Sequence, residues 1–142
     1  MDSLFRLDGR IALVTGAGSG VGRATVLTLC ANGYTVYLAG RRAEQLERTV
    51  SQAQNSDRAI AVPTDVSEAD SVSSLFNQIG NSHGRLDLLF NNAGANTQAV
   101  SADELPVNQW KMVIDINLTG TFLCTREAMA LMKKQRPKGG RI

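Results

Sequence analysis

The sequence predicts an α/β fold, in which a parallel β-sheet is covered by α-helices on both faces. Short runs of strand-forming residues alternate with segments of helical period along the chain. The first run, Ile11-Ala12-Leu13-Val14, is continuously apolar, as expected for a central strand that is buried on both sides. With 142 residues, of which 43% are hydrophobic, the chain is long enough for one sizeable core. We therefore expect one domain over residues 1–142.

Two strand–helix units are predicted in the first part of the chain. The strand at residues 11–14 leads to a helix from about Gly20 to Asn32, which Gly33 closes because glycine tolerates a left-handed backbone. Residues 35–39 are rich in β-branched and aromatic side chains and form the second predicted strand. The helix that follows has apolar residues on one stripe. These are Leu46, Val50 and Ala53.

Two more strands and two helices are predicted after residue 58. Residues 59–62 form the third strand, and Ser67-Glu68-Ala69-Asp70 has the pattern of a capping box that opens the third helix. The inward residues of this helix are Val72, Leu75, Phe76 and Ile79. The fourth strand spans residues 86–90, and a long helix starts near Val107. Its expected inward face comprises Trp110, Val113, Ile114, Asn117, Leu118, Thr121, Thr125 and Met129.

Composition argues against several classes of protein. The 15 basic and 13 acidic residues are mixed along the chain, so no basic patch points to nucleic acid. The start lacks a secretory pattern and no apolar run reaches membrane-spanning length, which predicts a cytoplasmic protein without a membrane partner. Cys30 and Cys124 lie in helical patterns without neighbouring ligands, so we expect reduced thiols and no metal site. His83, in a polar turn, is expected to be a surface residue.

A glycine-rich turn provides the first chemical signal. Thr15-Gly16-Ala17-Gly18-Ser19-Gly20-Val21-Gly22 follows the first strand and opens the first helix. Glycines let the backbone turn sharply and approach a pyrophosphate, while the helix amino end offers N–H donors and a positive dipole. Glycines also serve any tight strand-to-helix connection, so the turn by itself is weak evidence. Its place between strand and helix predicts a dinucleotide-binding site.

The spacing Gly-x-x-x-Gly-x-Gly resembles that of the classical short-chain dehydrogenases/reductases, and three further motifs follow in that family's order. Asp65-Val66 ends the third strand, Asn91-Asn92-Ala93-Gly94 follows the fourth, and Asn117 lies in Ile116-Asn117-Leu118-Thr119-Gly120. The resemblance covers roughly Leu7 to Ile142 and implies a Rossmann-like, doubly wound parallel sheet. It also implies that Asp65 and Val66 hold the adenine ring. Asn91, Ala93 and Gly94 would line the ribose side and brace the sheet, and Asn117 would be a catalytic residue.

Each of these three motifs also has a purely structural interpretation. Asp65 could cap a turn, and the Asn-Asn-Ala-Gly segment could be an ordinary loop after a strand. Asn117 could be a buried amide whose hydrogen bonds are satisfied. The occurrence of all the motifs at the expected elements favours the resemblance over coincidence.

The end of the second strand bears on the choice between NADP and NAD. An NAD enzyme usually places an acidic residue there, on the ribose 2′-hydroxyl. This chain instead has Gly40 followed by Arg41 and Arg42, and the Arg41 guanidinium can hold a 2′-phosphate with Arg42 assisting. The sequence thus favours NADP over NAD. The alternative is that both arginines are solvated charges at the head of a helix, where the helix dipole disfavours them.

The resemblance implies an oxidoreductase that moves a hydride between NADP(H) and a carbonyl or secondary alcohol. The family uses a tyrosine with a lysine four residues later, a serine, and an asparagine in the proton relay. Tyr34 and Tyr37 are followed four residues later by Leu38 and Arg41, so neither has the lysine. Of the catalytic set, Asn117 alone is present. We expect the tyrosine, lysine and substrate lid beyond Ile142, and an inactive chain in their absence.

The last residues, Gly139-Gly140-Arg141-Ile142, have the pattern of a turn and the start of a fifth strand, so we expect a sheet truncated after about four strands. Three alternatives to an enzyme half remain open at this stage. One is a non-catalytic NADP-binding module. Another is a dimerising fragment whose long helix from Val107 pairs with the same helix of a full-length subunit, because members of the family commonly dimerise there. The complete enzyme is expected to be a homo-oligomer. The third is a chain that does not fold alone, since its fourth strand would be an open edge.

Overall fold

Four parallel strands form one sheet in a computed structural model that describes residues 9–142. The strands are β1 (Ile11–Thr15), β2 (Thr35–Gly40), β3 (Ala59–Pro63) and β4 (Leu88–Phe90). The start of the chain and Leu7, where the resemblance was expected to begin, lie outside the described residues. The parallel sheet with flanking helices confirms the predicted α/β, Rossmann-like class.

The strand order is β3-β2-β1-β4, so β1 lies in the interior of the sheet. Its Ile11 is opposite Thr35 of β2, and its Ala12 is opposite Leu88 of β4. The chain winds from β1 through β2 to β3 in one direction and then returns to place β4 on the other side of β1. The order therefore reverses at β1, and ligands of open α/β sheets bind in the crevice at the carboxyl ends of the strands where this reversal occurs.

Helices cover both faces of the sheet. Within residues 9–142 they are α1 (Gly20–Ala31), α2 (Ala43–Gln52), α3 (Ala69–His83), α4 (Val107–Ile114) and α5 (Gly120–Lys134), with a 3₁₀ turn at Ser56–Arg58 and a π-helical turn at Asp115–Thr119. Alternate residues of β1 point to opposite faces. Ala12 and Val14 pack with α1 and α2, whereas Ile11 and Leu13 pack with α3 and α5. Each large apolar side chain that is fully buried in this way stabilises the folded chain by about 1.5–3 kcal/mol.

The predicted capping box at the start of α3 does not form, so that prediction was wrong. The helix begins at Ala69, and its capping residue, Glu68, makes no side-chain capping bond. Ser67 instead donates to Asp65 Oδ1 from both its hydroxyl and its backbone N–H, at 2.6 and 3.0 Å. The serine side chain is engaged by a carboxylate two residues earlier and does not reach the helix.

The predicted inward face of the long helix was also wrong. Trp110, Leu118 and Met129 are 58, 64 and 45% exposed. The π-helical turn at Asp115–Thr119 separates α4 from α5, and its wider turn changes the phase of the side chains after it. The residues that do face the core lie at other positions of this segment than the predicted ones. They are Ile116, Gly120, Leu123, Cys124, Ala128 and Met132.

The fourth strand begins two residues later than predicted, because a side chain forms hydrogen bonds with the backbone N–H and carbonyl of Leu86. Gln135 accepts from the Leu86 N–H at 2.8 Å and donates to the Leu86 carbonyl at 2.9 Å. Arg141, where a fifth strand was expected to start, forms a single parallel bridge with Leu88 of β4.

Candidate functional site

A cleft of about 350 Å³ opens at the carboxyl ends of the strands. Its walls come from the turn after β1, the end of β2 with the start of α2, and the loops after β3 and β4. Eleven of the cofactor-site residues proposed from the sequence border it: Gly16, Gly18, Ser19, Gly20, Val21, Arg41, Arg42, Asp65, Val66, Ala93 and Gly94. The fold therefore brings together motifs that are distant in sequence.

The glycine turn is packed so closely that side chains are excluded from it. A Cβ on Gly22 would lie 2.2 Å from the Gly16 carbonyl oxygen and 2.6 Å from Asn92 Nδ2. Gly16 itself has a φ of 64°, a left-handed conformation that favours glycine. The absence of side chains at both positions lets the start of α1 pack directly on the turn.

Asn92 ties the loop after β4 to this turn. Its amide donates to the carbonyl oxygens of Thr15 and Gly16, at 3.1 and 3.2 Å. The Thr15 hydroxyl accepts from the backbone N–H groups of Asn92 and Ala93, at 3.0 and 2.9 Å. These four bonds fix the two loops against each other on either side of the strand reversal. Sequence reasoning treated Asn92 only as part of a motif and missed this role.

The amino end of α1 faces the cleft. The helix starts at Gly20 after Ser19, whose side chain forms no capping bond, and both residues border the cleft. The N–H groups of a first helical turn have no partner within the helix and carry the positive end of its dipole. This end of the cleft thus suits a negatively charged group such as a phosphate.

Two exposed arginines also border the cleft. Arg42 is the residue that caps α2, and Arg41 precedes it. Within the described residues neither arginine forms an ion pair, and the neighbouring Glu44 is paired with Arg48 one turn further along α2. Both guanidinium groups are therefore available to an anion in the cleft.

Three proposed cofactor residues do not border the cleft. Ala17 is fully buried, with its N–H bonded to the Ala39 carbonyl oxygen at 3.2 Å, and Gly22 lies behind the turn. Asn91 points away from the cleft and donates to Thr125 Oγ1 of α5 at 3.0 Å. These residues shape the cleft wall from behind.

Sequence reasoning missed several residues that border the cleft. They are Gly40, Gln45, Leu46, Thr64, Asn92 and Ile116. Gln45 and Leu46 reach the cleft because the first turn of α2 packs against the glycine turn. No local pattern in the sequence signals this tertiary contact.

Asn117 lies in the π-helical turn, a form of helix frequent at functional sites. Its Oδ1 accepts from the Ala95 N–H at 2.8 Å, and its Nδ2 donates to the Ala95 carbonyl oxygen at 3.0 Å. The residue is exposed, so the interpretation as a buried amide does not apply. Asn117 holds the loop that continues from Gly94.

The tyrosine of β2 lies away from the cleft. Tyr37 is buried in the core on the α3 side, and its hydroxyl is 2.7 Å from His83 Nδ1. Burial raises the pKa of Tyr37. His83, expected in a turn, is the last residue of α3 and is exposed as predicted. Neither Tyr37 nor His83 borders the cleft.

Residues 9–142 contain no group of three or more His, Cys, Asp or Glu side chains arranged to hold a metal ion. No helix in this part of the chain is both long and apolar enough to span a membrane.

Comparisons with known proteins agree on one family. The family model described as short chain dehydrogenase matches residues 10–142. The chain is 38% identical over 138 residues to a 3beta-hydroxysteroid dehydrogenase of Mediterraneibacter gnavus. The matched region covers 96% of this chain and 49% of that protein. It is 40% identical over 138 residues to a 3-oxoacyl-[acyl-carrier-protein] reductase of Synechocystis, with coverage of 96% and 55%. The chain thus spans about half the length of the curated relatives it matches.

Solved structures give the same result. A short-chain type dehydrogenase/reductase from Mycobacterium marinum is similar with a TM-score of 0.89 at 29% identity, covering 99% of this chain and 57% of that one. A 3-ketoacyl-(acyl-carrier-protein) reductase from Brucella melitensis, complexed with NADH, is similar with a TM-score of 0.84 at 28% identity, covering 90% and 52%.

Proposed function

Because the chain belongs to the short chain dehydrogenase family, we propose that it is the dinucleotide-binding half of an oxidoreductase. The complete enzyme would transfer a hydride between NADP(H) and a carbonyl or secondary alcohol. Residues 1–142 would form one incomplete dinucleotide-binding domain. The observation that carries this proposal is the cleft at the strand reversal. It is bordered by the amino end of α1 and by two arginines that form no ion pair among the described residues.

The cleft suits a dinucleotide in its chemistry, and it has room for a small molecule. Its volume of about 350 Å³ is within the usual range for small-molecule sites. The glycine turn brings bare backbone to the cleft, as contact with a pyrophosphate requires. We assign the pyrophosphate to Gly16 and to residues 18–21. We assign the adenine to Asp65 and Val66.

The other sequence-derived residues receive supporting roles in this proposal. Ala93 and Gly94 would line the ribose side. Ala17, Gly22 and Asn91 would act from behind the cleft, where they hold the turn and β4 in place.

We propose NADP as the preferred cofactor, with NAD less favoured. Family membership does not decide this question, since the Brucella relative is complexed with NADH. The support comes from the end of β2, where Gly40 replaces an acid and the unpaired Arg41 and Arg42 border the cleft. A guanidinium matches a phosphate with planar, charge-assisted hydrogen bonds.

Asn117 is the one proposed catalytic residue of this chain. Bound NADPH supplies the hydride, and the chain's own residues bind and orient the dinucleotide. Asn117 would contribute to the proton relay from the π-helical turn, next to the loop that it anchors at Ala95. Tyr37 lies in the core, and neither it nor Tyr34 borders the cleft. We therefore propose that the 142-residue chain does not reduce carbonyls by itself.

A titration tests the cofactor assignment. The wild-type chain is expected to bind NADPH at least about 10-fold more tightly than NADH, because charge-assisted hydrogen bonds contribute about 1.5–3 kcal/mol. Arg41→Asp should remove this preference. Lys134→Asp makes the same charge change at an exposed position of α5 that does not border the cleft, and it should leave both affinities within about 2-fold. A wild-type chain that binds neither dinucleotide would refute the proposal.

A dimerising role is a second candidate, and an exposed apolar surface favours it. Trp110, Leu118, Phe122 and Met129 are between 45 and 64% exposed along α4 and α5. Apolar residues grouped in this way mark interaction surfaces. The complete enzyme is accordingly proposed to be a homo-oligomer through this surface.

Sedimentation of the wild-type chain and of Leu118→Glu tests this candidate. A wild-type dimer that becomes monomeric in the variant, with NADPH affinity unchanged, would support it. A monomer at all concentrations would exclude self-association of this chain.

A carbonyl or alcohol substrate of the complete enzyme and a cytoplasmic location remain part of the proposal. The mixed charge of the chain, 15 basic and 13 acidic residues, supports the expectation that nucleic acid is not a partner.

A further inference from the structure

Gln45 lies where the first turn of α2 meets the glycine turn. It is half-buried and borders the cleft together with Gly18 and Arg41. A Cβ on Gly18 would be only 2.8 Å from Gln45 Cβ, so the two segments are in direct contact. The position of Gln45 in the cleft is therefore fixed by packing.

Arg23 fixes the orientation of the Gln45 side chain. Its Nη2 donates to Gln45 Oε1 at 3.3 Å and also to the Gly18 carbonyl oxygen. A guanidinium has donors only, so the amide atom that faces it must be the oxygen. The Nε2 group of Gln45 consequently points away from Arg23.

Arg23 is itself held by a buried hydroxyl. Its Nε donates to Thr49 Oγ1 at 3.1 Å, and Thr49, which is fully buried, donates to the Ala17 carbonyl oxygen at 3.0 Å. The sequence of contacts runs from the core through Arg23 to Gln45. The amide orientation is thus set before any ligand enters the cleft.

We propose that Gln45 is a specificity-determining residue, whose Nε2 donates a hydrogen bond to the 2′-phosphate that Arg41 and Arg42 hold. This inference rests on the proposed function. Gln45 follows Arg42 by three residues in the first turn of α2, and both side chains border the cleft beside the glycine turn. The 2′-phosphate distinguishes NADPH from NADH, so the side chain would act on the choice of cofactor.

Gln45→Met tests the hydrogen bond, since methionine keeps the length of the side chain and removes its donor. NADPH should bind about 10-fold more weakly, as expected for one lost bond to a charged group, while the Kd for NADH stays within about 2-fold. Gln52→Met is the matched control, because Gln52 is exposed at the end of the same helix. It should change neither affinity.

Gln45→Glu provides a second test that preserves the contact with Arg23. The carboxylate accepts from that guanidinium as the amide oxygen does, so the fold is retained even if methionine disturbs it. Its charge repels a phosphate, and NADPH affinity should fall by more than about 10-fold with NADH again little changed.

The outcomes separate the inference from the proposed function. A wild-type chain that prefers NADPH, with both Gln45 variants unchanged, would overturn the role of Gln45 and leave the proposed function standing. Equal weakening of NADPH and NADH would place the contact on a shared part of the dinucleotide and would also overturn it. A wild-type chain that binds neither dinucleotide would overturn both proposals.

Discussion

Replacing Gly22 with alanine should destabilise the fold, because a methyl group at this position has no space. Its Cβ would be 2.2 Å from the Gly16 carbonyl oxygen. The obstacle is backbone, so the glycine turn itself must move. Overpacking of this kind costs about 3 kcal/mol, and the helix preference of alanine over glycine offsets about 1 kcal/mol. We expect a net loss of about 2 kcal/mol in the free energy of unfolding, which lowers Tm by about 8 °C for a chain of this size.

Gly80→Ala is the matched control for this change. Gly80 is also inside a helix, but a Cβ there would meet nothing within 4 Å. This variant should gain about 0.5–1 kcal/mol. Urea unfolding followed by circular dichroism measures the free energy of unfolding of both variants. Equal m-values would show that the variants expose the same amount of surface when they unfold. If Gly22→Ala proved as stable as the wild type, the close packing of α1 on the turn would be refuted.

Three further predictions concern groups outside the glycine turn. Burial opposes ionisation of Asp87, but hydrogen bonds from Arg85 and from the first backbone amide of β1 lower its pKa overall. Its carboxylate therefore stabilises the fold above the unfolded-state pKa and loses that effect as the pH falls through the folded pKa. Asp87→Asn should flatten the fall in stability with acid in urea titrations; an unchanged acid profile would contradict this. Burial raises the pKa of the Cys30 and Cys124 thiols, the latter to about 11, so a thiol reagent should modify both in urea and neither in the native chain. Rapid native labelling would show that the core opens. Asn117→Ala removes both hydrogen bonds to the loop after β4 and should speed amide exchange there with at most about 1 kcal/mol lost; unchanged exchange would mean that other contacts hold the loop.

The features that the sequence predicted well are those that depend on neighbouring residues. An interior strand must be apolar at every position, and residues 11–14 satisfy this without reference to the rest of the chain. The glycine turn is likewise a local requirement of a sharp strand-to-helix connection. Both could be recognised because the physical constraint and the residues that meet it occupy the same short segment.

The wrong predictions have a different physical origin, since each depended on a contact that local spacing does not contain. Ser67 had the right spacing for a capping box, but Asp65 competed for its hydroxyl. The face of the long helix was assigned with a constant period, which the π-helical turn at Asp115–Thr119 interrupts. Gln45 reaches the cleft only because α2 packs on Gly18.

Under the proposed function, cofactor binding would depend on a defined part of this chain. The described residues that border the cleft lie between Gly16 and Ile116, so under the proposed function this part of the chain would determine dinucleotide affinity. A ligand that binds the folded chain alone stabilises it by about 2.7 kcal/mol at 100 times its Kd. If the chain binds NADPH, its thermal stability should therefore rise with the concentration of NADPH. Arg41→Asp should reduce this rise. It should stabilise the free chain by at most about 1 kcal/mol, because Arg41 is exposed and an acidic residue is favoured near the amino end of α2. Affinity and folding can thus be measured independently in the same 142 residues.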